Sequence, residues 1–170
     1  ALAFSRDSEL LASGSEDGTL KVWRVRSGQL VRMLAAAHGV AVTCAAFPRD
    51  PTQVATGSLD GIVRVFGLVS GKAPEELRGH VGDVACVCWS ADGSRLVSCS
   101  SDGTVRVWDA RTSVCLFDFC PPHEVTADRP GVVSVALLPG HADRLVVCCR
   151  TNTLHVLTLS GKPVGAFSTG

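Results

Sequence analysis

Apolar and polar positions alternate over short distances along this chain, and the alternation recurs. From Arg95 to Asp109 the residues run R-L-V-S-C-S-S-D-G-T-V-R-V-W-D. Two segments rich in β-branched and apolar residues, 95–100 and 104–109, flank Asp102-Gly103, which is a strong short-range hairpin signal. Aspartate accepts hydrogen bonds from nearby backbone amides, and glycine takes the positive φ that other residues resist. The same pattern stands at 10–23 (L-L-A-S-G-S-E-D-G-T-L-K-V-W), at 53–66 (Q-V-A-T-G-S-L-D-G-I-V-R-V-F) and, faintly, at 145–157 (L-V-V-C-C-R-T-N-T-L-H-V-L). One further strand-like segment precedes each hairpin and another follows it. Four units of four strands are therefore expected, over about 1–34, 42–78, 83–119 and 131–167. Three prolines exclude regular structure from the connecting loop 120–130.

The spacing decides the kind of repeat. Asp17, Asp60 and Asp102 lie 43 and 42 residues apart, and the fourth equivalent, Thr151, follows after 49, the excess falling in the loop 120–130. His38 stands 22 residues before Asp60, and His80 stands 22 before Asp102. A period near 42 with four strands and a D-G-x-x-x-x-W signature fits the about 40 to 45 residues of a WD40 propeller blade and no helical repeat. The segments F-S-x-D, S-G-S-E-D-G-T-L-K-V-W, R-G-H and S-S-D-G-T-V-R-V-W-D resemble WD40 repeats over the whole chain. That resemblance implies an all-β WD40 β-propeller, with about four blades of a ring that closes with about seven. The histidine of the first unit would lie before residue 1, so the chain reads as an excerpt. Within the family, V-R-V-F-G-L-V-S-G-K, V-V-S-V-A-L-L-P-G and V-V-C-C-R-T-N-T-L-H-V-L resemble the Smu-type spliceosomal WD40 proteins, which partner the RED splicing factor.

Charge narrows the partners. With 16 basic and 16 acidic residues, the chain has no net field to draw it to nucleic acid or an anionic membrane. No apolar run approaches the length of a membrane span, and the first residues lack the pattern of a secretory leader. The chain therefore reads as soluble and intracellular. There are 8 cysteines. Cys44, Cys86, Cys88, Cys99, Cys148 and Cys149 all fall in expected strands, where a reduced thiol acts as a small hydrophobe.

The constellation nearest to chemistry is Ser98, His80 and Asp102, the residue types of a hydrolase triad. No nucleophile elbow or oxyanion hole accompanies it. By resemblance these residues, with Trp108, form a buried tetrad that ties the loop entering a blade to its central hairpin. The second unit holds His38, Thr56 and Asp60, with Phe66 where the indole should be. The first holds Ser13, Asp17 and Trp23, and the fourth has Cys148, Thr151 and Leu157 and no tetrad. Cys86, Cys88 and Cys99 lack the knuckle spacing of a zinc site. Lys21, Arg24, Arg26, Arg64 and Arg106 are expected to form a solvated stripe on the third strands.

The remaining expectation is a binding scaffold, without catalytic, cofactor or metal residues and without a small-molecule substrate. The face bearing the entry loops and hairpin turns carries Glu16, Leu59 and Ser101 before the turn aspartates, and Ala41, Thr43, Asp83 and Ala85 after the histidines. An apolar Leu59 in a turn points to contact. The Smu-type resemblance implies a nuclear protein of the pre-mRNA splicing machinery, with a RED-like protein partner, no direct sequence-specific nucleic-acid reading and no membrane. The alternative is a substrate receptor or signalling adaptor that recognises a peptide motif.

Overall fold

The computed structural model describes residues 1–35, 37–70, 72–122, 130–151 and 153–168. Among them the strands are β1 (Leu2–Phe4), β2 (Leu10–Gly14), β3 (Leu20–Arg24), β4 (Leu30–Leu34), β5 (Val42–Ala46), β6 (Gln53–Ser58), β7 (Val63–Gly67) and β8 (Glu75–Leu77). The second half continues with β9 (Val84–Trp89), β10 (Arg95–Ser100), β11 (Val105–Asp109), β12 (Cys115–Phe119), β13 (Val132–Leu137), β14 (Arg144–Cys149), β15 (Thr153–Thr158) and β16 (Pro163–Ser168). They form four antiparallel four-stranded sheets, each a meander in chain order. The fold is all-β, as the resemblance implies, and no helix occurs among the described residues.

Burial follows strand position within each sheet. The second strands β6 and β10 are buried at all but their first residue, because Val, Ala, Ser and Cys pack on both faces. The fourth strand β16 is exposed throughout. Pro163 opens that strand, since an outermost strand tolerates a residue without an N–H. Pro74 stands just before β8 and so takes no part in its ladder. Residues 123–129 of the expected loop lie outside the described residues.

The core sits between sheets. Val97, Val105 and Val107 of the third sheet pack with Val132, Val135, Leu145 and Val147 of the fourth. Ala55, Val63 and Leu77 of the second pack with Val84, Val87, Leu96 and Trp108 of the third. Ala12, Leu20 and Val22 of the first pack with Val54 and Phe66 of the second. The sheets approach so closely that a β-carbon at Gly57 would collide with Val84 Cγ1 and would stand 2.7 Å from Cys44 Sγ. Polar links cross the same junctions. The Trp89 indole donates to the Ala46 carbonyl at 3.1 Å, and the Arg32 guanidinium donates to the carbonyls of Leu68 (3.0 Å) and Ser70 (3.2 Å).

Candidate interaction face and the network beneath it

In the third sheet the hairpin β10–β11 is anchored to the loop that enters the sheet. Trp108 Nε1 donates to Ser98 Oγ at 2.9 Å, and Ser98 Oγ lies 2.8 Å from His80 Nε2. His80 Nδ1 lies 3.1 Å from Asp102 Oδ2, which also accepts the Val81 N–H at 3.0 Å. Thr104 donates to Asp102 Oδ1 from its amide (2.8 Å) and its hydroxyl (2.6 Å). A carboxylate accepts, so the neutral imidazole carries its proton on Nδ1 and takes the Ser98 O–H at Nε2. The protons then run one way, from Trp108 through Ser98 and His80 to Asp102.

This direction suits the electrostatics. Burial is the largest cause that holds the His80 imidazole below its ordinary range, against the raising effect of Asp102. Burial opposes ionisation of Asp102, yet the Thr104 and Val81 donors and the adjacent His80 together hold its carboxyl below the usual range. Ser98 is 0% exposed, so its hydroxyl is closed to any substrate. What this arrangement does is hold two backbone segments together through buried polar groups, each of which would cost about 1 to 3 kcal/mol if left unpaired.

The second sheet builds the network differently. His38 Nε2 lies 2.8 Å from Thr56 Oγ1 and His38 Nδ1 lies 3.1 Å from Asp60 Oδ2, but Phe66 contributes no donor. The Arg64 guanidinium takes part instead. It donates to Asp60 Oδ2 at 2.6 Å and to Glu76 Oε1 at 2.8 Å, and it touches the His38 ring. In the first sheet Trp23 Nε1 donates to Ser13 Oγ at 2.8 Å, while, among the described residues, the exposed Asp17 accepts within its own turn, at the Thr19 amide. In the fourth, Leu157 is fully buried, Thr151 is exposed, and Cys148 donates weakly to the Cys149 carbonyl at 3.7 Å.

Arg64 and Arg106 depart from the solvated stripe expected of them. Their cross-strand partners are acidic, so Arg64 pairs with Glu76 and Arg106 pairs with Asp118 at 2.7 Å, with side chains only 13% and 18% exposed. Lys21, opposite Met33, lies over Trp23 at 6.0 Å instead. Arg24 ends β3, and Arg26 beyond it is solvated, 3.9 Å from Glu9. Among the described residues no group of three His, Cys, Asp or Glu side chains has the geometry to hold a metal ion.

The tied loops present a surface. Leu59 donates its N–H to the Ala41 carbonyl at 3.2 Å, and Ser101 donates to the Asp83 carbonyl at 3.0 Å, so each hairpin turn is fixed to the start of its own first strand. Glu16, Leu59, Ser101 and Asp83 are exposed there, and Ala41 is half-buried. Thr43 and Ala85 lie within β5 and β9 and are half-buried, and the Thr43 hydroxyl is taken by the Val84 carbonyl.

Two residues that the sequence reading passed over stand out. Val81 is 93% exposed and Val40 is 44% exposed, beside Leu59 at 48%. A β-carbon at Gly61 would stand 3.0 Å from the His80 carbonyl and 3.2 Å from that of Gly82, so the second sheet's turn abuts the loop bearing Val81. The signal available was a valine in each of H-G-V-A and H-V-G-D, placed where the loop has no interior to enter. Val40, Leu59 and Val81 are thus exposed apolar residues on adjoining loops and a turn of one face.

Several known proteins are similar to this chain. The family of the WD domain, G-beta repeat, matches residues 1–24, 28–67 and 71–109. The WD40 repeat-containing protein smu1 of Dictyostelium discoideum is 42% identical over 87 residues, covering 51% of this chain and 16% of that protein. Apoptotic protease-activating factor 1 of Rattus norvegicus is 30% identical over 132 residues, covering 76% of this chain and 10% of that protein. A chain in the crystal structure of a mitotic checkpoint complex superposes on 99% of this chain with a TM-score of 0.86 and 25% identity, and 50% of that chain is covered.

Proposed function

This chain belongs to the WD40-repeat family, and on that premise we propose that it is a non-enzymatic protein–protein interaction scaffold that acts in nuclear pre-mRNA splicing. The observation that carries the splicing assignment is the 42% identity to smu1 over 87 residues. It agrees with the Smu-type pattern of the sequence, which includes a repeat lacking its tryptophan at Phe66 and a repeat lacking its Asp-Gly at Thr151. Shared irregularity is harder to reach by chance than shared regularity.

The partner in this reading is a protein of the splicing machinery resembling RED. Contact is made through the surface of Val40, Leu59 and Val81 with Glu16, Ser101 and Asp83 around it. An apolar centre within a polar rim is the composition of a docking patch. RNA is not read directly, because a chain with 16 basic and 16 acidic residues gains little from counterion release. No cofactor or small-molecule substrate is required.

Depletion of the protein tests this reading. It should change intron retention or splice-site choice, and the protein should co-purify with spliceosomal proteins after nuclease treatment. Splicing left untouched, with the protein found on a ubiquitin ligase or a membrane coat, would overturn the assignment in favour of a receptor or adaptor.

A further inference from the structure

We propose that Cys86 and Cys99 form a modification site, at which a hydroperoxide oxidises Cys86 and Cys99 closes on it as a cross-strand disulfide within the third sheet. The two residues are direct partners in the register of β9 with β10. Directly opposed antiparallel residues hold their β-carbons about 4.5 to 5.5 Å apart. A disulfide needs about 3.5 to 4.5 Å, so a shift of about 1 Å joins them. The register changes between Cys99 and Ser100, so the ladder next to the pair is already irregular where that shift is needed. The first two sheets have no such pair, since Gly14 and Gly57 stand where the third has Cys99.

The two sulfurs differ in environment. Cys86 is half-buried at the junction with the fourth sheet, where its thiol reaches the Val135 carbonyl at 3.5 Å. Cys99 is 0% exposed. The proximity of Cys99 holds the Cys86 thiol below its ordinary range, while the same proximity and burial push Cys99 up. Burial pushes the neighbouring thiols Cys44 and Cys88 up to about 12, which disfavours their thiolates. Cys86 is thus the attacking sulfur and Cys99 the resolving one.

The chemistry balances. The Cys86 thiolate attacks one peroxide oxygen, the O–O bond breaks, and hydroxide or alkoxide leaves, which oxidises the sulfur by two electrons to the sulfenic acid. The Cys99 sulfur then attacks Cys86, the S–O bond breaks, and the departing hydroxide takes up the Cys99 proton as water. The peroxide is the species reduced. The product staples β9 to β10 across the turn between them.

The test is treatment of the protein with a small excess of hydrogen peroxide at neutral pH, followed by alkylation of free thiols and peptide mapping. The expected product is two hydrogens lighter and links Cys86 to Cys99, is restored by a thiol reductant, and forms about tenfold or more faster than any oxidation of Cys44 or Cys88. In Cys99→Ala the reaction should stop at a Cys86 sulfenic acid that dimedone captures. Should that variant fail to fold, Cys86→Ser serves instead and should lose the link while Cys99 stays a free thiol. A link between other cysteines, or oxidation of Cys86 no faster than that of Cys88, overturns the proposal.

Discussion

Phe66 fills in the second sheet the place that Trp108 fills in the third, each standing opposite the second residue of the neighbouring strand, Val54 and Leu96 respectively. The exchange removes a donor. Trp108 supplies an N–H to Ser98, and at the second site Arg64 supplies charge to His38 and Asp60 from the other side.

Replacing Trp108 with Phe should therefore destabilise the protein by about 1 to 3 kcal/mol, through a lost bond to a fully buried hydroxyl and lost packing. Urea denaturation followed by fluorescence measures this. A midpoint equal to that of the parent would show that the indole bond adds nothing.

Asp102→Ala should destabilise by more than about 1 kcal/mol, because it removes the acceptor of the Val81 and Thr104 amides and of the Thr104 hydroxyl and leaves His80 Nδ1 with Thr104 Oγ1 in place of the carboxylate. Asp17→Ala should cost less, since Asp17 is exposed and, among the described residues, accepts within its own turn. Calorimetry on the two variants gives the order, and an equal loss would contradict the role assigned to the loop anchor.

Acidification should weaken the fold. Burial is the main cause that lowers the imidazoles of His38 and His80 in the folded protein, so the unfolded chain binds the extra protons first. Stability from these groups is fully present above the unfolded value of about 6.5 and is lost as the pH falls through it toward the lower folded values. Melting temperature should thus drop from about pH 7 to about pH 5, and NMR titration should place both ring signals below a free histidine. Ring titration at or above that of free histidine would reverse the sign.

Local chemistry made much of this molecule legible in its sequence. Asp-Gly at 17–18, 60–61 and 102–103 marks three hairpin turns, and the Val, Leu and Ala alternation around them gives strands whose ends agree with the structure to within a residue or two. The 22-residue step from His80 to Asp102 foretells a contact because the period fixes which loop meets which turn. What escaped the sequence depends on neighbours across strands. Arg64 and Arg106 look like solvated cations until the register sets Glu76 and Asp118 opposite them. Val81 looks like part of a strand entry, yet its N–H is tied to Asp102 and its side chain stands exposed. Cys86 and Cys99 are ordinary strand cysteines until pairing places them side by side.

The most direct measurement of the scaffold reading is capture of spliceosomal proteins from nuclease-treated nuclear extract by the parent protein and by a Leu59→Asp/Val81→Asp double variant. Both side chains are exposed, at 48% and 93%, so the fold should melt as the parent does. The account predicts that capture falls about tenfold or more, as expected when charge enters the centre of a docking patch. Undiminished capture of the same proteins by the folded double variant would contradict it.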